Sequence, residues 1–585
     1  MTLFNNPFFV RSDDMGLYSG KFGFYSEQDR LDVLRLADEV MQTEIPPLYA
    51  TTYLNFARTG DRRSYDRPMG TRRHNVEKLL LGIMAGEKEK YTDRLIDYIW
   101  AICEETSWVI PAHNISLPYV LHKNPLPDAF ACDPPEVELF GADTASIFAF
   151  VILFAGDLLD AVTPVIRERM LYEIDRRVFR PFLDHEMRWS TKYVNNWTPW
   201  IVSSVLNAAI ICEKDEYRFF SICSRCMTYL DRLVASFTDD GACSEGPSYW
   251  NAAVGAVFDS AESLYEISDG KVDVFSAPMF KRMCEYYADL CVSPENNLFV
   301  NFADGPTRLF HDRRFLARMG RRVGSEKLIS LAASLGSEPQ PAVERFFLVR
   351  TLRSLSEPLP VQVPFDYRRE TNVYGDLQVC TMRRGKFFLG IKGGTNGEQH
   401  NHNDIGSLAL YFDGDAILCD PGVGAYRRET FNSQRYTIWT MQSSYHNLPE
   451  INGQMQLPGR EYRADLFAVE NDSVTVSYPH AYTAGTCEKA LRTVTLTENG
   501  AEISDEVDAH AVFCFMTKTE PVCIGDRTYS VGGCTVTFSG GDVVSEKIDI
   551  ADDASLFRSW KTPALYRIRV ATDGRLTTIV RVKMD

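Results

Sequence analysis

His400, Asn401, His402, Asn403 and Asp404 stand in one run, followed by Gly406-Ser407 and then by Cys419-Asp420-Pro421-Gly422. The chain has only ten histidines in 585 residues, and His400, His402 and His446 fall in the window that also holds Asp404 and Asp420. His402, Asp420 and His446 offer two imidazoles and a carboxylate, the mixed nitrogen and oxygen set suited to zinc or a similar divalent ion. Hydrogen bonds among the same side chains would satisfy them equally well. Residues two apart in a strand share a face, so His400 would stand beside His402, near a metal yet free to move protons.

Two further segments carry concentrated polar chemistry. Asn195-Asn196-Trp197-Thr198-Pro199-Trp200 sets two amides and two indoles before an apolar stretch, where asparagine is also a common helix cap. Asp239-Asp240-Gly241-Ala242-Cys243-Ser244-Glu245-Gly246-Pro247-Ser248-Tyr249-Trp250 is a loop rich in acid, glycine and aromatics, as carbohydrate sites often are. Arg427, Arg428 and Arg435 adjoin the histidines and offer a local anion site. Arg313, Arg314, Arg318, Arg321 and Arg322 read as solvated helix or loop charges.

Two kinds of scaffold must position these residues. From about 25 to 350 the apolar period is helical: Thr163-Pro164 begins a segment in which Ile166, Met170, Ile174 and Val178 recur every fourth residue. After about 365 the period is two. Val474-Thr475-Val476 alternates, and Thr493–Leu496 leads through Asn499-Gly500 to Glu502-Ile503, a hairpin signal. Tyr566–Val570, Asp573-Gly574 and Thr578–Val582 repeat the pattern and predict a second hairpin. The change passes through a proline-rich stretch, which predicts a helical domain over 1–355, a linker over 356–365 and an antiparallel β domain over 366–585. The fold class is thus multidomain α+β, a helical bundle, solenoid or toroid joined to a β-sandwich.

Composition narrows the functional classes. A net charge of −17 excludes the broad basic face of a nucleic-acid binder. The first residues lack a basic and apolar leader, and no uninterrupted apolar stretch spans a bilayer, which predicts a cytoplasmic protein without membrane attachment. The 14 cysteines are scattered and read as reduced core thiols, Cys223-x-x-Cys226 included.

The chain resembles the heparinase II/III superfamily of polysaccharide lyases. The resemblance rests on Asn195-Asn196-Trp197, Glu245-Gly246-Pro247-Ser248-Tyr249-Trp250, Asn301-Phe302-Ala303-Asp304, His400-x-His402-x-Asp404-x-Gly406-Ser407, Asp420-Pro421-Gly422 and Ser444-Tyr445-His446-Asn447, in the family's order. It implies an N-terminal (α/α) toroid followed by a C-terminal antiparallel β-sandwich, and β-elimination of uronic-acid glycans. In that chemistry Asn196 would hold the substrate carboxylate, Tyr249 would serve as acid, and His400 as base or charge neutraliser, with Glu245 able to share a proton. Tyr436 is the expected second tyrosine, with Tyr426 in competition. His402, Asp420 and His446 match the family's ligands for a structural divalent metal, zinc first, manganese or calcium as alternatives.

Many members carry histidine where this chain has Trp197, which shifts weight onto His400 and Tyr249. The segments that hold Arg73 and His113 are expected to help close one end of the cleft, as in exo-acting relatives, and Arg73, His113, Trp197 and Arg435 to bind substrate. The expected partner is a uronic-acid oligosaccharide or polysaccharide: heparin or heparan sulfate fragments first, other glycosaminoglycans second, alginate third. A homo-oligomer stays open. Two competing readings are a toroidal glycoside hydrolase using a pair from Asp239, Asp240, Glu245 and Asp304, and a non-catalytic glycan-binding protein.

Overall fold

The computed structural model describes residues 2–4, 11, 18, 22–116, 137–191, 194–336 and 347–583. Its helical part is two-layered. Helices Arg63–Met84, Leu139–Val162, Trp197–Cys212 and Gly246–Ile267 pack on one another in succession as an inner ring. Lys88–Cys103, Val165–Ile174, Glu216–Val234 and Pro278–Asp289 each back one of them from outside. The composition of the helices follows their layer. Outer helix Glu216–Val234 buries Phe219, Ile222, Cys223, Cys226, Leu230 and Leu233 along one stripe, so its Cys-x-x-Cys pair is core packing. Inner helices Leu139–Val162 and Trp197–Cys212 are apolar nearly all round, whereas Arg63–Met84 carries buried Arg72, Arg73 and Glu77. Leu139–Val162 is long and apolar enough to cross a membrane, but it lies between ring neighbours and is capped by Glu138, which accepts from the Phe140 and Gly141 amides.

The ends of the helical region meet. The Tyr25 amide donates to the Leu355 carbonyl at 2.8 Å, and Arg314 pairs with Asp29 at 2.7 Å. The arginine cluster read as solvated is largely not so. Arg313, Arg314 and Arg318 are buried, Arg318 pairing with Glu262 at 3.0 Å and Arg313 donating to the Ala332 and Pro360 carbonyls. Their helix packs on Glu326–Ser334, Pro278–Asp289 and Leu348–Leu355, and the acceptors come from these surroundings, from Asp29 and from Glu262 of an inner helix; a charge so paired can be buried.

The last helix of the helical part ends at Leu355 and the first strand of the C-terminal part starts at Glu370. That part is all antiparallel: a five-stranded sheet over 370–418, an eight-stranded sheet whose central strands are Ala490–Thr497, Gly500–Val507 and Arg575–Val582, and a four-stranded sheet including Ala511–Thr517 and Ala564–Thr572. The hairpin at Asn499-Gly500 forms, with Thr497 opposite Gly500. The one expected at Asp573-Gly574 does not. Ala564–Thr572 pairs within the four-stranded sheet and Arg575–Val582 within the eight-stranded one, so the turn carries the chain from sheet to sheet. Turn chemistry marks a reversal but not which strand each arm will pair with. Side chains on facing sheets, including Leu389, Leu410, Val476, Ile503, Phe515 and Ile568, share the sandwich core.

Both faces of the five-stranded sheet are buried: Phe387, Leu389 and Ile391 point into the sandwich, whereas Phe388 packs on the helical core. Gly390 lets this seam close, because a Cβ there would stand 3.0 Å from Val300. Arg383 donates across the seam to the Cys291 and Val292 carbonyls, and the Thr381 hydroxyl to the Asp289 carbonyl.

The Asp289 side chain sits in this seam with the Tyr374 hydroxyl and Lys327, and burial pushes its carboxyl from 3.8 up to about 6 against the opposing pull of Lys327. Between those pH values the folded chain holds a proton that the unfolded chain has lost, so this group's contribution to stability falls as pH rises through the interval and is constant above it. Asp289→Asn removes that dependence. The Tm of the variant minus that of the wild type is expected to rise from about pH 4 to pH 6 and then level off; a flat difference across the interval would refute it.

Candidate active site at the seam

Four elements deliver the site residues. Asn196 precedes helix Trp197–Cys212, Glu245 precedes helix Gly246–Ile267, Asp304 ends the Asn301–Asp304 turn, and His400 and His402 lie in the loop between strands Thr395–Asn396 and Leu408–Phe412 rather than on a strand. The capping work before the first helix falls to Asn195, whose Oδ1 accepts from the Trp197 amide at 3.0 Å. Asn196 is thereby released: its amide donates to Glu245 Oε1 at 3.0 Å and its Nδ2 to Glu245 Oε2. Gly246, at φ 77°, lies so close to the Asn301–Asp304 turn that a Cβ would meet the Phe302 carbonyl at 2.2 Å. Only glycine allows that approach, which brings Glu245 to the side of Asp304.

His400 adopts φ 54° and stands between the two carboxylates. Its Nδ1 lies 2.9 Å from Asp304 Oδ2 and its Nε2 3.5 Å from Glu245 Oε2. The Tyr249 ring stacks on its imidazole, with centroids 3.9 Å apart and planes 19° from parallel. The Tyr249 hydroxyl is 2.8 Å from that of Tyr426, which donates to Asp304 Oδ2 at 3.1 Å. Since Tyr426 spends its proton on the carboxylate, Tyr249 donates to Tyr426.

Electrostatics separate these groups. Burial raises the Tyr249 phenol well above its ordinary range, and the negative charges of Asp304 and Glu245 add to the shift, so it remains a neutral proton donor. Burial likewise raises Glu245, with His400 and Asn196 opposing. Asp304 moves the other way. Burial disfavours its charge, but hydrogen bonds from His400 and His402 and the Arg435 guanidinium outweigh it and hold the carboxyl well below the usual range.

His402, Asp420 and His446 form a buried group whose potential ligand atoms all lie within 4.8 Å of one another. His446 Nε2 lies 2.8 Å from the Thr440 carbonyl and must donate to it; Nδ1 then faces Asp420 Oδ2 at 2.8 Å. His402 Nε2 donates to Asp304 Oδ1 at 2.9 Å, leaving Nδ1 buried without a partner. A lone pair orphaned beside a carboxylate and a second imidazole fits a divalent cation held by His402 Nδ1, His446 Nδ1 and an Asp420 oxygen.

The remaining expected residues divide. Arg435 is nearly buried and committed to Asp304 Oδ1 at 2.7 Å and to the Asn401 and Thr430 carbonyls, so it pins the site from behind. Tyr436 accepts from Asn401 Nδ2 at 3.2 Å, and it is Tyr426 that reaches Tyr249. Arg73 is buried in the ring, gripped by both Glu105 oxygens and Thr144, away from any cleft role. His113 and Trp197 meet, with rings 4.4 Å apart, and His113 Nδ1 is 2.6 Å from Glu138. Asp304 carries more of the site than its sequence reading suggested; its place in a motif shared with the other segments was the available signal.

Residues 369–511 match the family described as Heparinase II/III-like, C-terminal. No curated protein matches the sequence. Solved structures match along nearly the whole chain. A heparinase III shares 12% identity at TM-score 0.62 over 100% of this chain and 88% of its own. The heparan sulfate lyase HepC from Pedobacter heparinus shares 13% at TM-score 0.56, over 96% and 89%. The chondroitin AC lyase from Streptomyces coelicolor A3, as a mutant, shares 10% at TM-score 0.52, over 95% and 80%. The toroid joined to antiparallel sheets is therefore the fold of heparinase-type lyases.

Asp304→Ala would strand the Arg435 guanidinium and the His402 Nε2 proton in the interior. It is expected to cost about 3–5 kcal/mol in urea unfolding, the usual penalty for breaking a buried pair, and Asp304→Asn less.

Proposed function

We propose that this heparinase II/III-like chain is a polysaccharide lyase that cleaves hexuronate-containing glycans by β-elimination. The observation that carries the reading is the meeting of Asn196, Glu245, Tyr249 and His400, from both halves of the chain, in one place. Elimination needs a group to offset the uronate carboxylate, a base for the C5 proton and an acid for the departing O4. Asn196 Nδ2 and Glu245, raised by burial, face the carboxylate and stabilise the enolate-like intermediate. Asp304 fixes the Nδ1–H tautomer of His400, so Nε2 carries the lone pair that takes the C5 proton. Tyr249 donates its phenolic proton to O4 as the C4–O4 bond breaks. The product carries a C4=C5 double bond and no water is consumed.

Heparin or heparan sulfate fragments are the first substrates proposed, on the likeness to heparinase III and HepC; other glycosaminoglycans come second and alginate third. The free thiols of the described cysteines fit a reducing cytoplasm and hence imported oligosaccharides. Zinc is the ion proposed for His402, Asp420 and His446, as a brace that ties the histidine run to the 420 and 446 turns. A hydrolytic carboxylate pair fits less well. Asp304 has its oxygens occupied by four donors, and Asp240 accepts from the Thr238 hydroxyl and the Ala242 and Asp376 amides.

Incubation with uronate oligosaccharides is expected to raise near-ultraviolet absorbance, and Tyr249→Phe and His400→Ala to lower kcat at least about 10²-fold. New reducing ends without absorbance would replace the lyase with a hydrolase. Elemental analysis of the purified protein is expected to find about one divalent ion per chain. His446→Ala should lose it and a chelator should lower the Tm; full metal content in that variant would move the site elsewhere.

A further inference from the structure

A chain of contacts leads away from Tyr249 and returns to Trp197, beside Asn196. Tyr249 touches Tyr426, and the Tyr426 ring lies 5.1 Å from that of Phe431. The Arg62 guanidinium stands 5.9 Å above the Phe431 ring, and Arg62 Nε donates to Asp66 Oδ2 at 3.2 Å. His113 and Glu138 act electrostatically on Asp66, and His113 packs on Trp197, the residue next to Asn196. Arg62 is half-buried on the helical side of this circuit, close enough for its charge to act on the Tyr249 phenol.

Arg62 is placed differently from Arg435 and Arg73. Arg435 is spent on Asp304 and Arg73 on Glu105. Arg62 is steadied through Nε by Asp66 and from below by the Phe431 face, and among the described residues its two terminal nitrogens make no hydrogen bond. Asp66, Glu138, Glu245 and Asp304 make the surroundings rich in carboxylates, so an anionic sugar entering here meets repulsion unless a cation compensates. A guanidinium anchored at Nε with its Nη edge free suits a carboxylate or sulfate.

We propose that Arg62, with Phe431 beneath it, is a specificity-determining residue that binds an anionic substituent, carboxylate or sulfate, on the sugar next to the cleaved bond. The inference rests on the lyase reading for the position of that bond. Arg62 draws the substrate into register and leaves proton transfer to Tyr249 and His400. Phe431, more than half exposed, adds an apolar face against which a sugar ring can lie.

The test uses the full chain with Arg62→Ala and Arg62→Lys, assayed on paired sulfated and desulfated heparan oligosaccharides. Arg62→Ala is expected to raise KM about tenfold or more while kcat changes less than about threefold, with partial recovery in Arg62→Lys. A KM effect confined to the sulfated member assigns the sulfate; an equal effect on both assigns the carboxylate. Unchanged KM on both, or a fall in kcat that tracks a lowered Tm, overturns the proposal. Calorimetric binding of the same pairs to Tyr249→Phe, with and without Arg62→Ala, separates the two readings. Binding weakened by Arg62→Ala without product formation by the wild type would remove the lyase and keep the anion site; equal binding would remove the anion site alone.

Discussion

One carboxylate organises the site. Asp304 is buried, and it accepts from His400, His402, Tyr426 and Arg435 at 2.7–3.1 Å. A carboxylate in the interior is tolerable only when its lone pairs are used, and here each donor it recruits is a residue that the site needs in a fixed orientation. The same charge sets the His400 tautomer, orders the hydroxyls of Tyr426 and Tyr249, and turns the His402 Nδ1 lone pair toward Asp420 and His446. The cluster of His400, Tyr249 and Tyr426 and the cluster of His402, Asp420 and His446 are thus two sides of one anion.

The anion depends in turn on close backbone approach. Gly246 permits the Glu245 turn to lie on the Phe302 carbonyl, and Ala303, at φ 62°, bends the chain so that Asp304 faces the β domain. Behind the tyrosines, Asp553 holds the Ala425 amide with both oxygens while capping helix Ala554–Trp560, and the Trp560 indole donates to the Pro421 carbonyl. The loop that presents Tyr426 is therefore braced by a helix more than a hundred residues further along the chain.

Much of this was legible in the sequence, because periods and motifs report local conformation. The shift from helical to alternating period appears as the ring and the sheets, and the run from His400 to His402 stands beside Asp420 and His446. What stayed hidden is what local pattern does not encode. Arg73 is expected at the end of the cleft until Glu105, brought beside it by ring packing, claims its guanidinium. Tyr426 and Tyr436 are equivalent in sequence, and only the path of the 420–436 loop sends one hydroxyl to Tyr249 and the other to Asn401. Asp573-Gly574 carries a hairpin's turn chemistry but joins strands of two sheets, because pairing is decided by partners far away in sequence.

The bracing of the Tyr426 loop by Asp553 and Trp560 bears on biosynthesis. Asn196, Glu245, Asp304, His400 and Tyr426 are spread over 231 positions, and the helix that steadies the last of them is made more than a hundred residues after it. The helical ring has its contacts early, whereas the long-range pairings that finish the site must wait for the C-terminal strands. A chain without that helix would carry Tyr426 on a loop lacking its Asp553 and Trp560 contacts, so the geometry of the site is completed by the docking of distant segments rather than accumulated along the chain.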